Sequence, residues 1–161
     1  MNEIEKILLR CQLTLGLKTT DDIEQWAINT LSKDESNQLA LDLCFLANSE
    51  QILHYFHVLH KNYDIDENLK KIIIYNELNT YTTQLIQHNQ AQQYTWDAAQ
   101  KIFDLANFIE DDDLYDFVNH YDDEFHLAQQ GISLLASDEI FPIFIKELKK
   151  WLDAKLLNNT I

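Results

Sequence analysis

Two glycines, one proline, two cysteines and a single arginine among 161 residues define this chain first by what it is short of. Gly16 and Gly131 are too few for a fold of tight hairpins, whose primed turns need φ > 0, and too few for a glycine-rich loop that cradles phosphate. All-β and nucleotide-loop architectures are therefore not expected. Cys11 and Cys44 lie far apart in apolar patterns, which suits free thiols in a reducing compartment rather than a disulfide framework. No run of about 18 apolar residues exists to span a membrane. The amino end, Met1-Asn2-Glu3-Ile4-Glu5-Lys6, has no basic segment followed by an apolar one. A cytoplasmic protein is the expectation.

What is present points to a folded chain. At 46% hydrophobic and 11% aromatic residues it lies far from disordered compositions. A chain of this length buries roughly 70% of the surface it exposes when unfolded, so residues 1–161 are expected to form a single helical domain without a metal or disulfide staple. Asp and Glu number 27 against 12 Lys and Arg, for a net charge of −15. That sign opposes direct binding to nucleic acid or to an anionic membrane and favours a cationic partner.

The periodicity is helical almost throughout. Ile4, Ile7, Leu8, Cys11 and Leu15 stack on one face of a first helix over Glu3 to Leu15, stopped by Gly16. Thr19 or Thr20 caps a second, to about Leu31, with Asp21, Asp22 and Glu24 in its first turn, where the helix dipole favours negative charge. A third is predicted over Asp34 to Ala47 and a fourth over Glu50 to Asn62 with Ser49 as its cap, the two forming an antiparallel hairpin. Asp66 caps a long fifth, to about Asn89. It contains Ile72-Ile73-Ile74-Tyr75, which has strand propensity inside a pattern too long for a strand. Thr95 caps a sixth over Trp96 to Glu110. A seventh follows on Leu114, Phe117, Val118 and Tyr121, then a short eighth over Asp123 to Gln130, ending near Gly131. The last spans Ile140 to Leu157, with Pro142 tolerable only in the opening turn. The expected class is all-α, a bundle of eight or nine helices in successive antiparallel hairpins, with a short solenoid-like stack as the variant.

No catalytic motif emerges. His54, His57 and His60 have inviting ligand spacing, yet they fan over about a third of a helix circumference, and no Glu completes a zinc-protease pattern. No metal and no cofactor are expected. Asp111-Asp112-Asp113 opens like a calcium loop, but Asp116 stands where the sharp turn needs Gly and Asp122 where a bidentate Glu belongs. None of the five serines has the Gly-flanked elbow of a hydrolase, and Arg10 is the only arginine available to clamp an anion. A non-enzyme is expected.

The charge distribution carries more information. Between Lys101 and Lys146 there is no Lys or Arg, while 11 acids fall there, most of the net charge in about a quarter of the chain. A solvated face accounts for scattered acids. Crowding them within a Debye length, about 8 to 10 Å in physiological salt, adds self-repulsion that a cationic surface relieves. Aromatics among them supply what an interface centre needs, with Tyr115 and Phe125 the better candidates for exposure than Phe117 or Tyr121. The candidate partner-binding residues are Glu110, Asp111, Asp112, Asp113, Tyr115, Asp116, Asp122, Asp123, Glu124 and Phe125.

The segment Glu110-Asp111-Asp112-Asp113-Leu114-Tyr115-Asp116, continued by His120-Tyr121-Asp122-Asp123-Glu124-Phe125, resembles in its acidic-aromatic character the immunity proteins of bacterial toxin systems, including contact-dependent growth inhibition. The likeness extends to size, charge and helical organisation. It implies a cognate protein toxin, commonly a nuclease, whose basic substrate cleft is plugged by an acidic surface. A helical adaptor that binds a partner helix in an apolar groove is the other reading of the same features.

Overall fold

The computed structural model describes residues 2–46, 48–58, 65–88 and 96–159. Among them are eight α-helices and no strand, so the chain is all-α as expected. It divides into two compact units, Met1–Lys70 and Lys71–Ile161.

The first unit holds α1 (Asn2–Thr14), α2 (Thr20–Lys33), α3 (Gln38–Cys44) and α4 (Ser49–Val58). Gly16 at φ 72° stops α1 and lets Leu17 N reach the Gln12 carbonyl oxygen at 2.9 Å, the left-handed cap that glycine permits. Thr19 caps α2 reciprocally: its hydroxyl accepts from Asp22 N at 3.2 Å and the Asp22 carboxylate accepts from Thr19 N at 2.8 Å. Those bonds hold the Asp22 carboxyl below the usual carboxylate range, with Lys18 adding to the effect.

α3 begins later than the pattern suggests. Asp34 closes α2 instead of opening α3, and its carboxylate accepts from Ser36 N at 3.0 Å. Asn37 is the cap, accepting from Ala40 N at 3.0 Å. Asn48 rather than Ser49 caps α4, accepting from Gln51 N at 3.0 Å. The Ser49 hydroxyl is tied to Thr20 of α2 at 2.8 Å. Ala47 and the predicted end of the fourth helix beyond Val58 lie outside the described residues. The core cluster here is aliphatic for the most part, with Leu9, Ile23, Ala27, Leu39, Leu43, Ile52 and Phe56 at its centre and Trp26 and Tyr55 packed against it. Leu9 joins it, whereas Ile4, placed on the buried face by its spacing, is exposed.

α5 (Glu67–Gln87) starts in the last residues of the first unit and continues into the second. The Ile72 to Tyr75 run is helical within it. Asp66 stands at its start, its carbonyl oxygen accepting from Lys70 N at 3.0 Å. Asn89, Thr95 and the cap of the next helix lie outside the described residues.

The second unit continues with α6 (Trp96–Phe108), α7 (Asp112–Gln129) and α8 (Ser137–Asn159). Its core is also largely aliphatic, but a cluster of aromatic rings runs through it. Phe125 lies 6.3 Å from Phe141 and 6.0 Å from Phe144, Phe117 lies 6.0 Å from Trp151, and Tyr75 meets Trp151 edge-on at 5.4 Å. The predicted seventh and eighth helices are one. No break occurs at Asp123, because Leu114, Val118, Tyr121 and Phe125 extend a single apolar stripe past it. Pro142 falls in the second turn of α8 instead of the first, since that helix starts at Ser137. Glu139 Oε2 accepts from Ala136 N at 3.3 Å and supports the earlier start. Ile140, Phe141, Phe144 and Ile145 are all buried and hold the helix together across the missing proline N–H.

Candidate partner-binding surface

α7 positions nearly all of the predicted acidic residues, and its pitch sorts them. At about 100° per residue, Asp112, Asp116 and Asp123 fall within about 40° of one another, opposite Leu114, Val118, Tyr121 and Phe125. All three acids are exposed. They form a stripe roughly 16 Å long on the solvent side of the helix. Asp113 and Glu124 flank it on one edge, and Tyr115 stands on the other, 40% exposed with its ring 6.4 Å from that of Phe103. Here the structure brings together Asp112, Asp113, Tyr115, Asp116, Asp123 and Glu124.

Two predicted residues go inward. Phe125 is only 1% exposed and belongs to the aromatic core, because it continues the apolar stripe of an unbroken α7. Asp111 is 4% exposed and is the N-cap of α7. One carboxylate oxygen accepts from Asp113 N at 3.1 Å and Leu114 N at 3.4 Å, and the other accepts the hydroxyl hydrogen of Tyr75. Burial raises the Tyr75 pKa well above the phenol range, and the bond to Asp111 and the charges of Asp111 and Asp113 add to it. Neither side chain is available to a partner, and the calcium reading of Asp111 gives way to a capping role.

The other acids have local duties of varying weight. Asp112 and Asp113 occupy the first turn of α7, and Asp138 and Glu139 that of α8, where helix dipoles favour them. Asp113 is 3.4 Å from Lys155 Nζ, which also sits 5.2 Å over the Trp151 ring. Asp122 faces His126, whose Nδ1 is 3.5 Å from its carboxylate. Glu110 forms the corner between α6 and α7 at φ 50°, a left-handed backbone unusual for a side chain of its kind. Tyr121 packs on Phe144 at 5.0 Å, and burial raises its pKa, with Glu147 and Glu124 contributing. The acids with no helix-terminal role, Asp116 and Asp123 foremost, leave the stripe facing solvent.

Sequence reasoning passed over the turn after α7. Ile132, Leu134 and Leu135 are exposed there, and Leu127 on the last turns of the helix joins them. The signal was an apolar run between a helix stop and a helix cap, where polar residues are the rule. Elsewhere, α4 and Leu46 ahead of it border an apolar depression of about 430 Å³ lined by Leu46, Glu50, Gln51, His54 and Tyr55. His54 is exposed, whereas the side chain of His57 and all of His60 lie outside the described residues. Among the described residues no three His, Cys, Asp or Glu side chains gather closely enough to hold a metal ion, and no helix is long and apolar enough to cross a membrane.

Comparisons with protein families, with curated proteins and with solved structures found no match to this chain.

Proposed function

We propose that this chain is a non-catalytic immunity protein that binds and neutralises a cognate toxin, a basic nuclease domain, through the acidic face of α7. The observation that carries the reading is the solvent-facing stripe of Asp112, Asp116 and Asp123, in a stretch where no Lys or Arg occurs between Lys101 and Lys146. A nuclease displays cations where phosphates bind, so such a stripe occupies the cleft and excludes substrate. Steering by these charges raises the encounter rate by about 10- to 1,000-fold, an advantage when few toxin molecules must be intercepted.

The test mixes the purified protein with the toxin-domain product of the adjacent gene and follows nuclease activity. Stoichiometric loss of activity is expected. A D112N/D116N/D123N variant retains its helicity but associates about tenfold more slowly at low salt. Undiminished activity of a competent toxin at excess protein rejects the reading.

A helical adaptor is the second reading, favoured by the apolar depression beside Leu46 and Tyr55. It predicts a partner helix whose affinity hardly changes with ionic strength, in contrast to the steep salt dependence of the first.

A further inference from the structure

The turn that closes α7 holds the apolar side chains that the acidic face lacks. Its backbone is pinned throughout. Gly131 at φ 71° allows Ile132 N and Ser133 N to share the Leu127 carbonyl oxygen at 2.9 and 3.3 Å. Ser133 Oγ accepts from Leu135 N at 3.2 Å, and Glu139 accepts from Ala136 N at 3.3 Å. In a helix stop of this kind the apolar residue just beyond the glycine commonly folds back on the last turn. Ile132 nonetheless stays 67% exposed, Leu134 is fully exposed, and Leu135 and Leu127 are 42% and 37% exposed. Single apolar residues on a surface are ordinary, whereas three on one short turn, with Leu127 on the helix just before it, are the kind of grouping that contact sites use.

We infer that this turn, with Leu134 at its tip, is the apolar centre of a docking surface whose occupant is a basic protein with an apolar pocket ringed by Lys and Arg. The inference rests on the reading of α7 as the acidic face that meets a cationic protein, and it adds where the desolvated centre lies. Charge selects the occupant. In sequence the turn lies between Asp122, Asp123 and Glu124 on the preceding helix and Asp138 and Glu139 in the first turn of the next. No Lys or Arg between Lys101 and Lys146 offsets them, and the chain as a whole carries −15. An anionic lipid surface is repelled by these charges, and a second copy of the chain would set acid against acid. A basic protein gains from the apolar tip and the anionic surround together. The division of labour follows interface physics, with a buried anchor governing dissociation and rim charges governing encounter.

The experiment measures association and dissociation of the purified protein with the toxin-domain product of the adjacent gene, at low and high salt. Leu134→Ser leaves net charge and circular dichroism unchanged, as befits a fully exposed position. It is expected to raise Kd at least about tenfold through faster dissociation, with the association rate and its salt dependence kept. The D116N/D123N variant shows the reverse pattern. Dissociation unchanged by Leu134→Ser, in a partner that still binds through the acids, overturns the inference and leaves the proposed function standing. Absence of any binding by the unmodified protein overturns both. Vesicles of phosphatidylcholine with phosphatidylglycerol and sedimentation of the protein alone supply the remaining arms. Leu134-dependent binding to those vesicles, or Leu134-dependent self-association, overturns the choice of occupant.

Discussion

The N-terminus of α2 and the N-terminus of α7 each place a capping oxygen ahead of two first-turn acids, yet one stands in water and the other is enclosed. At α2, Thr19 and Asp22 exchange hydrogen bonds on the surface, and the acids Asp21 and Asp22 are free to be solvated. At α7, Asp111 is buried and serves two backbone N–H groups and the Tyr75 hydroxyl at once. The difference separates acids that hold the fold from acids that face outward. A count of carboxylates along a segment does not make that separation; only the packing of the helix does.

Three changes sharpen the contrast, the largest first. Asp111→Ala removes a cap and leaves the Tyr75 hydroxyl enclosed without its acceptor, so a loss of about 3 kcal/mol in urea unfolding is expected. Tyr75→Phe costs less, about 1.5 kcal/mol, because Asp111 keeps its backbone partners. The Tyr75 pKa is raised in the folded protein, so the stability tied to it is complete below the ordinary phenol range near pH 10 and falls as pH rises above it. The unfolded chain loses that proton first. Unfolding measured from pH 9 to 11.5 is accordingly flatter with pH in Tyr75→Phe than in the parent, though Tyr121, shifted in the same direction, keeps some slope in both. At the exposed cap, Thr19→Ala costs about 1 kcal/mol. Should it prove as damaging as Asp111→Ala, burial would not be what distinguishes the two caps.

Much of this arrangement could be read from the chain. The all-α class followed from periodicity and from the shortage of glycine and proline, and Gly16 and Gly131 marked real helix ends. The acids that crowd the first turn of α2 narrowed its cap to Thr19 or Thr20, and the reciprocal bonds with Asp22 select Thr19. The caps Asn37 and Asn48 were not, since neighbouring Asp34 and Ser49 offer equally good capping chemistry and only tertiary packing chooses between them. Phe125 was misplaced by breaking α7 at Asp123; the spacing from Leu114 through Val118 and Tyr121 already carried it onto the core face. The bond from Tyr75 to Asp111 joins residues 36 positions apart, and no local pattern announces it. The run of acids on α7 was visible in the sequence through its lack of compensating cations, whereas the exposed apolar turn beyond it carries no comparable signal of charge.

Both ends of α7 are shut by a left-handed residue, Glu110 at φ 50° on one side and Gly131 at φ 71° on the other. Neither end can extend the helix outward unless one of those residues moves to another basin. The helix that carries the carboxylates is thereby bounded in length, and the apolar tip begins where its last left-handed residue turns the chain away, like a thread cut to stop at a shoulder.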